Sequence, residues 1–425
     1  MYTLRPYQQE AADKAVSFFN DRKAKYNAIE MLATASGKSL IISEIASRLD
    51  GNTLVFCPQK EILQQNYEKY ISYGLNDAGI YSASFGRKDI CHVTFATIKS
   101  AINHKELFSS FKNIIVDEAH QVCSSKGQYK DFFASLPCKV LGLTATPYRL
   151  TSQQGIMVGD EFKPNGTFNR IQYFMRGGFK PRPGVNPCTK ANLKFLTRTI
   201  PRIFSKLIYY VQTSDLVNGG YLTKPRYFQM VPNGWNEAEL KVNSTGFDYT
   251  DDSVKSQYDK VDFTACLASL VKRLLHPKDG KSRHGILVFT RFVDEAFKLK
   301  ESIEGCQVVT GNTPAKERDA IIEDFKNGTV PVLANANVLS TGFDYPELDT
   351  VVMARPTRSL ALYYQIVGRL MRLRKDGKPK DAWFVDLCGN IDKFGKVEEL
   401  DLRDTTGNGQ WSIFNGEKQM TNIAF

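Results

Sequence analysis

The chain has 425 residues, 42% of them hydrophobic, and a formal net charge of +11 from 56 Lys and Arg against 45 Asp and Glu. That length suits about two or three domains of roughly 150 residues with real cores. No run approaches the roughly 18 apolar residues of a membrane helix, the opening MYTLRPYQQE has no apolar signal segment, and the eight cysteines form no C-x-x-C, so a soluble cytoplasmic protein without zinc or disulfides is expected.

Between residues 28 and 143 short apolar runs (AIEML, TLVFC, HVTFA, NIIVDE, KVLGLT) alternate with helical patterns such as SLIISEIASRL and EILQQNYEKYI. Buried strands alternating with amphipathic helices predict an α/β domain with a parallel sheet over residues 1–150. In such a sheet ligands gather beyond the carboxyl ends of the strands. ATASGKS follows the first run and opens a helix, the context of a phosphate loop. Backbone N–H groups of Thr34, Ala35, Ser36 and Gly37 would hold phosphate, Lys38 would reach its outer groups, and the Ser39 hydroxyl would ligate Mg²⁺. By itself this is half a motif, and a chance match is the alternative.

NIIV then runs into Asp117 and Glu118. A carboxylate at the end of a buried strand is costly without a partner, and a magnesium-bridged phosphate supplies one. Asp117 would hold the metal and Glu118 would activate the attacking water; two acids capping a helix start is the other reading. After the next run come Thr144 and Thr146, which alone could be a capped turn.

From Lys163 to Lys206, inside the stretch 151–220, there are ten Lys or Arg and no Asp or Glu, so nearly the whole charge excess lies in that segment. Clustered positive charge is the footprint of a polyanion, against the plainer reading of a solvated surface. A Pro-Asn-Gly turn followed by a polar and aromatic run predicts a hairpin. Its Tyr173 and Phe174 lie between Arg170 and Arg176, suited to stacking bases while cations hold phosphates, or else to a small core. Lys190, Lys194, Arg198, Arg202 and Lys206 recur every four residues, which predicts two helices divided at Pro201 with an anionic partner, first of all DNA phosphate.

Residues 232–260 read as a polar, acidic, loop-like stretch. The strand rhythm returns from 284 to 390 with GILVFT, CQVVT, VPVLAN, TVVMA and AWFVD, giving a second α/β domain over 221–395. Thr341, Gly342 and Asp344 follow one of its strands. Gln365, Arg369 and Arg372 fall at i, i+4 and i+7 on one helix face, and two arginines there suit the charge of a phosphoryl group in transfer. A surface ion-pair face is the alternative. The tail 396–425 matches no pattern.

In chain order RPYQ, ATASGKS, FCPQKEILQQ, DEAH, TAT, STGFD and QIVGRLMR resemble the motor core of superfamily 2 DEAH-box helicases, covering about residues 1–150 and 220–390. LTATPYRL, LVNGGYLTKPRYF and ARPTRSLALYYQIVGRLMR look closest to bacterial RadD helicases and related phage-encoded helicases of branched DNA. The resemblance implies two RecA-like parallel-sheet domains in tandem, with the basic α+β insertion between them and ATP with Mg²⁺ in the cleft. It implies adenine recognition by Gln8 and Arg5, nucleotide contacts at Gly342 and Asp344, and arginine fingers at Arg369 and Arg372. Coupling falls to His120, Thr144, Thr146 and Gln365, and nucleic-acid contacts to Pro58, Gln59, Thr97, Arg291 and Thr341. Single-stranded, forked or branched DNA is the implied partner, with RNA as the alternative, for a monomer that meets replication or recombination proteins in a bacterial or phage-infected cytoplasm.

The chain departs from that family in its cysteines and in its phosphate loop, where Ala33 stands in place of the common proline. Only Cys388 lies beyond residue 306, so the cysteine-rich zinc module of RadD is missing. Ala35 stands where the family has glycine, and alanine resists positive φ. A nucleotide-gated clamp without turnover is the non-enzymatic reading, against which Glu118 and the two arginines speak.

Overall fold

The computed structural model describes residues 3–123, 127–158, 161–164, 186–278, 280, 283, 285–336, 338–340 and 342–423. Arg170, Tyr173, Phe174, Arg176 and Thr341 lie outside them.

Helix α1 (Pro6–Asn20) starts at a proline, with Arg5 as cap and Gln8 reaching back to it, and buries Tyr7, Ala11, Ala12, Ala15, Phe18 and Phe19. The first domain continues as β1 (Ala28–Met31), α2 (Lys38–Arg48), β2 (Thr53–Phe56), α3 (Lys60–Ile71), β3 (Ala78–Ser82), β4 (Arg87–Lys88), β5 (Val93–Ala96), α4 (Ile98–Ala101), β6 (Asn113–Asp117), α5 (Gln128–Ser135) and β7 (Lys139–Thr144). The five apolar runs of the sequence are β1, β2, β5, β6 and β7, adjacent in a sheet ordered β11-β1-β7-β6-β2-β5-β3-β4, where β11 is Lys206–Tyr210. Every pairing in it is parallel except that of β3 with β4. Burial on both faces explains the unbroken apolar runs.

The insertion contains strands where helices are expected. β8 (Tyr148–Val158) pairs with β9 (Glu161–Pro164) and, over ten residues, with β10 (Asn186–Phe195). β11 (Lys206–Tyr210) then joins the first sheet beside β1. The four-residue period of the cations misleads because four is also two strand repeats. Lys190 and Lys194 share one side of β10 while Ala191, Leu193 and Phe195 are buried, and Arg198 and Arg202 are exposed on the turn that follows. The first domain's sheet therefore draws on chain well beyond residue 150.

After α6 (Thr213–Asn218) the second domain runs β12 (Arg226–Gln229), α7 (Asp251–Lys260), α8 (Phe263–Leu275), β13 (Ile286–Thr290), α9 (Val293–Ser302), β14 (Cys306–Val309), α10 (Ala315–Lys326), β15 (Val332–Ala336), β16 (Thr350–Ala354), α11 (Leu360–Gly368), β17 (Trp383–Asp386) and α12 (Asn390–Phe394). Its six strands are ordered β12-β17-β16-β13-β15-β14, all parallel. The acidic stretch expected as loop includes α7, whose cap Thr250 accepts from Ser253 N and whose first turn holds Asp251 and Asp252, acids favoured at a helix start. The tail folds as β18 (Leu400–Asp404), β19 (Trp411–Asn415) and β20 (Lys418–Gln419), an antiparallel sheet. Asn422 ties it back to β10, donating N–H to Leu193 O at 2.6 Å and accepting from Phe195 N at 3.0 Å. Among the described residues no helix is long and apolar enough to cross a membrane.

Candidate nucleotide cleft between the two sheets

The carboxyl ends of β1, β6 and β7 converge on one cleft wall. After β1 the chain turns through Ala35 (φ 67°) and Gly37 (φ 85°) before α2 begins at Lys38. Ala35 thus occupies the left-handed region, which costs a residue with a Cβ about 1–2 kcal/mol. The loop is braced from outside: Tyr7 Oη and Gln8 Nε2 both donate to Ser36 O at 2.8 Å. A Cβ on Gly37 would meet Gln8 Nε2 at 2.5 Å. Arg5 lies 5.1 Å over the Tyr221 ring and donates to Tyr221 O. Arg5 and Gln8 therefore flank the phosphate loop instead of lining the cavity beneath it.

Glu118, directly after β6, also has positive φ (52°). That backbone aims its carboxylate at Lys38 Nζ (3.4 Å) and His120 Nδ1 (3.4 Å). Burial acts to raise Glu118, but Lys38, His120 and Arg369 outweigh it and hold the carboxyl well below its ordinary range. Burial and the Glu118 charge push Asp117 the other way, up to about 6. Asp117 is a buried carboxylate short of positive charge, the setting a bound cation would relieve. Among the described residues no three His, Cys, Asp or Glu form a metal cluster, and one carboxylate beside Ser39 fits magnesium carried in largely on phosphates.

The second domain closes the cleft with α11. Gln365 Nε2 lies 3.2 Å from His120 Nε2, His120 Nδ1 lies 2.9 Å from Thr144 Oγ1, and Thr146 N donates to Thr144 Oγ1 at 3.1 Å. The four residues expected to couple the halves thus form one chain across the cleft, although the Thr146 hydroxyl is buried without a partner. The helix stops at Gly368, so Arg369 and Arg372 sit on the tightened turn after it and not on the helix proper. Arg369 donates to Phe343 O (2.7 Å) and Ser340 O (2.5 Å), while Arg372 Nε pairs with Asp344 at 2.6 Å. Arg369 Nε and Arg372 Nη1 are buried with no protein acceptor. Burial, then the Arg372 charge, brings Arg369 down to about 9. Thr34, Ala35, Gly37, Lys38, Ser39, Asp117, Glu118, Gly342, Asp344, Gln365, Arg369 and Arg372 line a single cavity of about 340 Å³.

Two family models match the chain: "Type III restriction enzyme, res subunit" over residues 1–149 and "Helicase conserved C-terminal domain" over residues 266–374. The chain carries a superfamily 2 helicase core. This core is 25% identical over 395 residues to "Putative ATP-dependent helicase IRC3" of Saccharomyces cerevisiae, covering 87% of this chain and 49% of that one. It is 21% identical over 388 residues to "DNA 3'-5' translocase XPB2" of Sulfurisphaera tokodaii, covering 90% and 81%. The chain thus spans about half the length of the yeast relative. Among solved structures, a fragment of a putative HsdR subunit of a type I restriction enzyme from Vibrio vulnificus superposes with a TM-score of 0.61 at 19% identity, over 93% of this chain and 66% of that one, a likeness of fold.

Adjoining the helicase core's cleft, and sharing Gln65, Gly342 and Asp344 with it, a second interdomain cavity of about 460 Å³ is lined by Gln59 with Glu61, Gly311 and Arg318. Pro58 precedes Gln59 after β2, and Thr97 caps α4 after β5, bonded to Ser100. Arg291 is not free: it is ion-paired to Asp248 (3.0 Å) and Asp251 (2.9 Å) and donates to Tyr249 O. Two contacts escaped the sequence reading. Tyr364 shares a 2.6 Å hydrogen bond with Thr213, and Asn66 donates to Asp117 at 2.9 Å. Tyr364 lies within the run ARPTRSLALYYQIVGRLMR and Asn66 directly after FCPQKEILQQ, but the spacing of neither run marks these residues as interior polar contacts.

Proposed function

We propose that this helicase core is a DEAH-type, ATP-driven DNA helicase or translocase, which hydrolyses ATP between its two domains and moves along single-stranded, forked or branched DNA to unwind or remodel it. The observation that carries the reading is the single cavity shared by Lys38 and Glu118 of the first domain and Arg369 and Arg372 of the second. ATP phosphates would lie against the loop N–H groups and Lys38, with Arg369 and Arg372 facing the γ-phosphate. Asp117 and Ser39 would hold Mg²⁺, which supplies charge neutralisation of the phosphates. Glu118 accepts the proton of the water that attacks the γ-phosphate, and ADP and phosphate leave. Loss of that phosphate removes the bridge between the walls, the cleft opens, and two backbone-gripping domains step relative to one another.

DNA is favoured over RNA by the translocase named among the relatives. The tripartite run LTATPYRL, LVNGGYLTKPRYF and ARPTRSLALYYQIVGRLMR supports a RadD-like or phage-type helicase of replication, recombination or repair, acting as a monomer in the cytoplasm. Glu118→Gln should lower steady-state hydrolysis by about 10²–10⁴-fold while ATP still binds. Hydrolysis measured with single-stranded DNA, forks, four-way junctions and RNA tests the substrate. An ATPase equally stimulated by RNA would overturn the DNA assignment, and a wild type without turnover would favour the clamp.

A further inference from the structure

Asn66 lies on α3, a helix whose neighbouring polar residues Glu61, Gln64, Gln65 and Glu68 are exposed, yet its own side chain is fully buried. Nδ2 donates to Asp117 Oδ2 at 2.9 Å and lies 3.4 Å from Cys57 Sγ, while Oδ1 has no partner. A buried carboxamide with one unsatisfied end costs stability that a leucine of similar size would not. What it gives in return is at its other end. Asp117 Oδ1 accepts from Glu118 N at 2.9 Å, so two donors from different elements fix the two oxygens of one carboxylate.

The same helix reaches two further places. Its cap Gln59 continues from β2 into the second interdomain cavity. Across the cleft, Glu61 accepts from Arg318 at 3.1 Å and Gln65 donates to Gly342 O at 3.2 Å. At 1.5 Å rise per residue Glu61 and Asn66 are about 7.5 Å apart along a stiff axis. We propose that Asn66 is a positioning residue: it sets the Asp117 carboxylate for Mg²⁺ and, through α3, ties that setting to the contact between the domains. The inference rests on Asp117 as the metal-holding carboxylate.

The test is Mg²⁺-dependent binding of a fluorescent, non-hydrolysed ATP analogue to the full chain, comparing wild type with Asp117→Asn, Asn66→Leu, Asn66→Asp and Arg318→Ala. Asn66→Leu should raise the half-saturating Mg²⁺ about 10-fold, as removal of a hydrogen-bond partner of a metal-holding carboxylate does, with binding in EDTA unchanged. Asn66→Asp keeps the shape and loses the donor, so it should shift at least as far, and it carries the test if the leucine variant melts. Arg318→Ala should shift the value about threefold, the scale of one surface ion pair. If Asp117→Asn leaves the Mg²⁺ dependence unmoved, the metal reading itself fails. If Asp117→Asn moves it and both folded Asn66 variants match wild type, the role of Asn66 falls, and an unmoved Arg318→Ala removes the link across the cleft.

Discussion

The two sheets finish their carboxyl edges in opposite ways. On the first, charge is aimed into the cleft: Lys38 and Glu118 sit 3.4 Å apart beneath the phosphate loop, on backbone held at positive φ at Ala35, Gly37 and Glu118. On the second, three cations are matched by acids outside the phosphate loop, Arg291 by Asp248 and Asp251, Arg372 by Asp344, and Lys393 by Glu237 at 2.8 Å, whereas Arg369 is held by backbone carbonyls. The first edge is built for its anion in advance, with local strain as the cost. On the proposed function the second would exchange these partners for a polyanion, and its affinity would then depend on how firmly its own carboxylates hold.

The largest test of this contrast is Arg369→Ala. A finger aimed at a transferring phosphoryl group is worth about 10³-fold or more in turnover, so kcat should fall by that much while ATP affinity changes far less. Arg369→Lys should not restore it, because one ammonium cannot reach both Phe343 O and Ser340 O as the guanidinium does. A mild loss would make Arg369 a brace of the second domain. Next comes the joint change Asp248→Asn and Asp251→Asn, which releases Arg291. If Arg291 then meets a phosphate, DNA affinity should rise several-fold and the salt dependence should steepen by about 0.9 in log–log slope. Unchanged binding at every salt concentration would assign Arg291 to holding α7. Smallest is Ala35→Gly, which should stabilise the first domain by about 1 kcal/mol in thermal or denaturant unfolding by removing the left-handed penalty. No gain would mean that the loop does not keep this backbone in solution.

The parts of this molecule that read well from sequence are those whose signal is local. Strands buried on both faces give continuous apolar runs, and the residues just past them, from Gly37 to Asp117 and Glu118, inherit their place from the strand. Signals that needed a partner did not read. The cations from Lys190 to Lys206 keep a four-residue period that both helix and strand satisfy, and the pairing with β8 and β1 decides between them. The acid that holds Arg372 lies 28 positions earlier in the chain, at Asp344, and the acids that hold Arg291 lie some 40 positions away on α7 and the turn before it. Asn66 carries no mark in the sequence, because nothing in its neighbours on α3 reveals that Asp117 lies beneath it.

Gly368 bears on how far the cleft can shut. A Cβ built on it would stand 2.6 Å from Thr34 Cβ, at the start of the phosphate loop. The end of α11 therefore lies directly on the loop with no side chain between them. A single methyl there would act as a doorstop, leaving both walls and all their charges intact but setting the smallest gap at which the engine could fire.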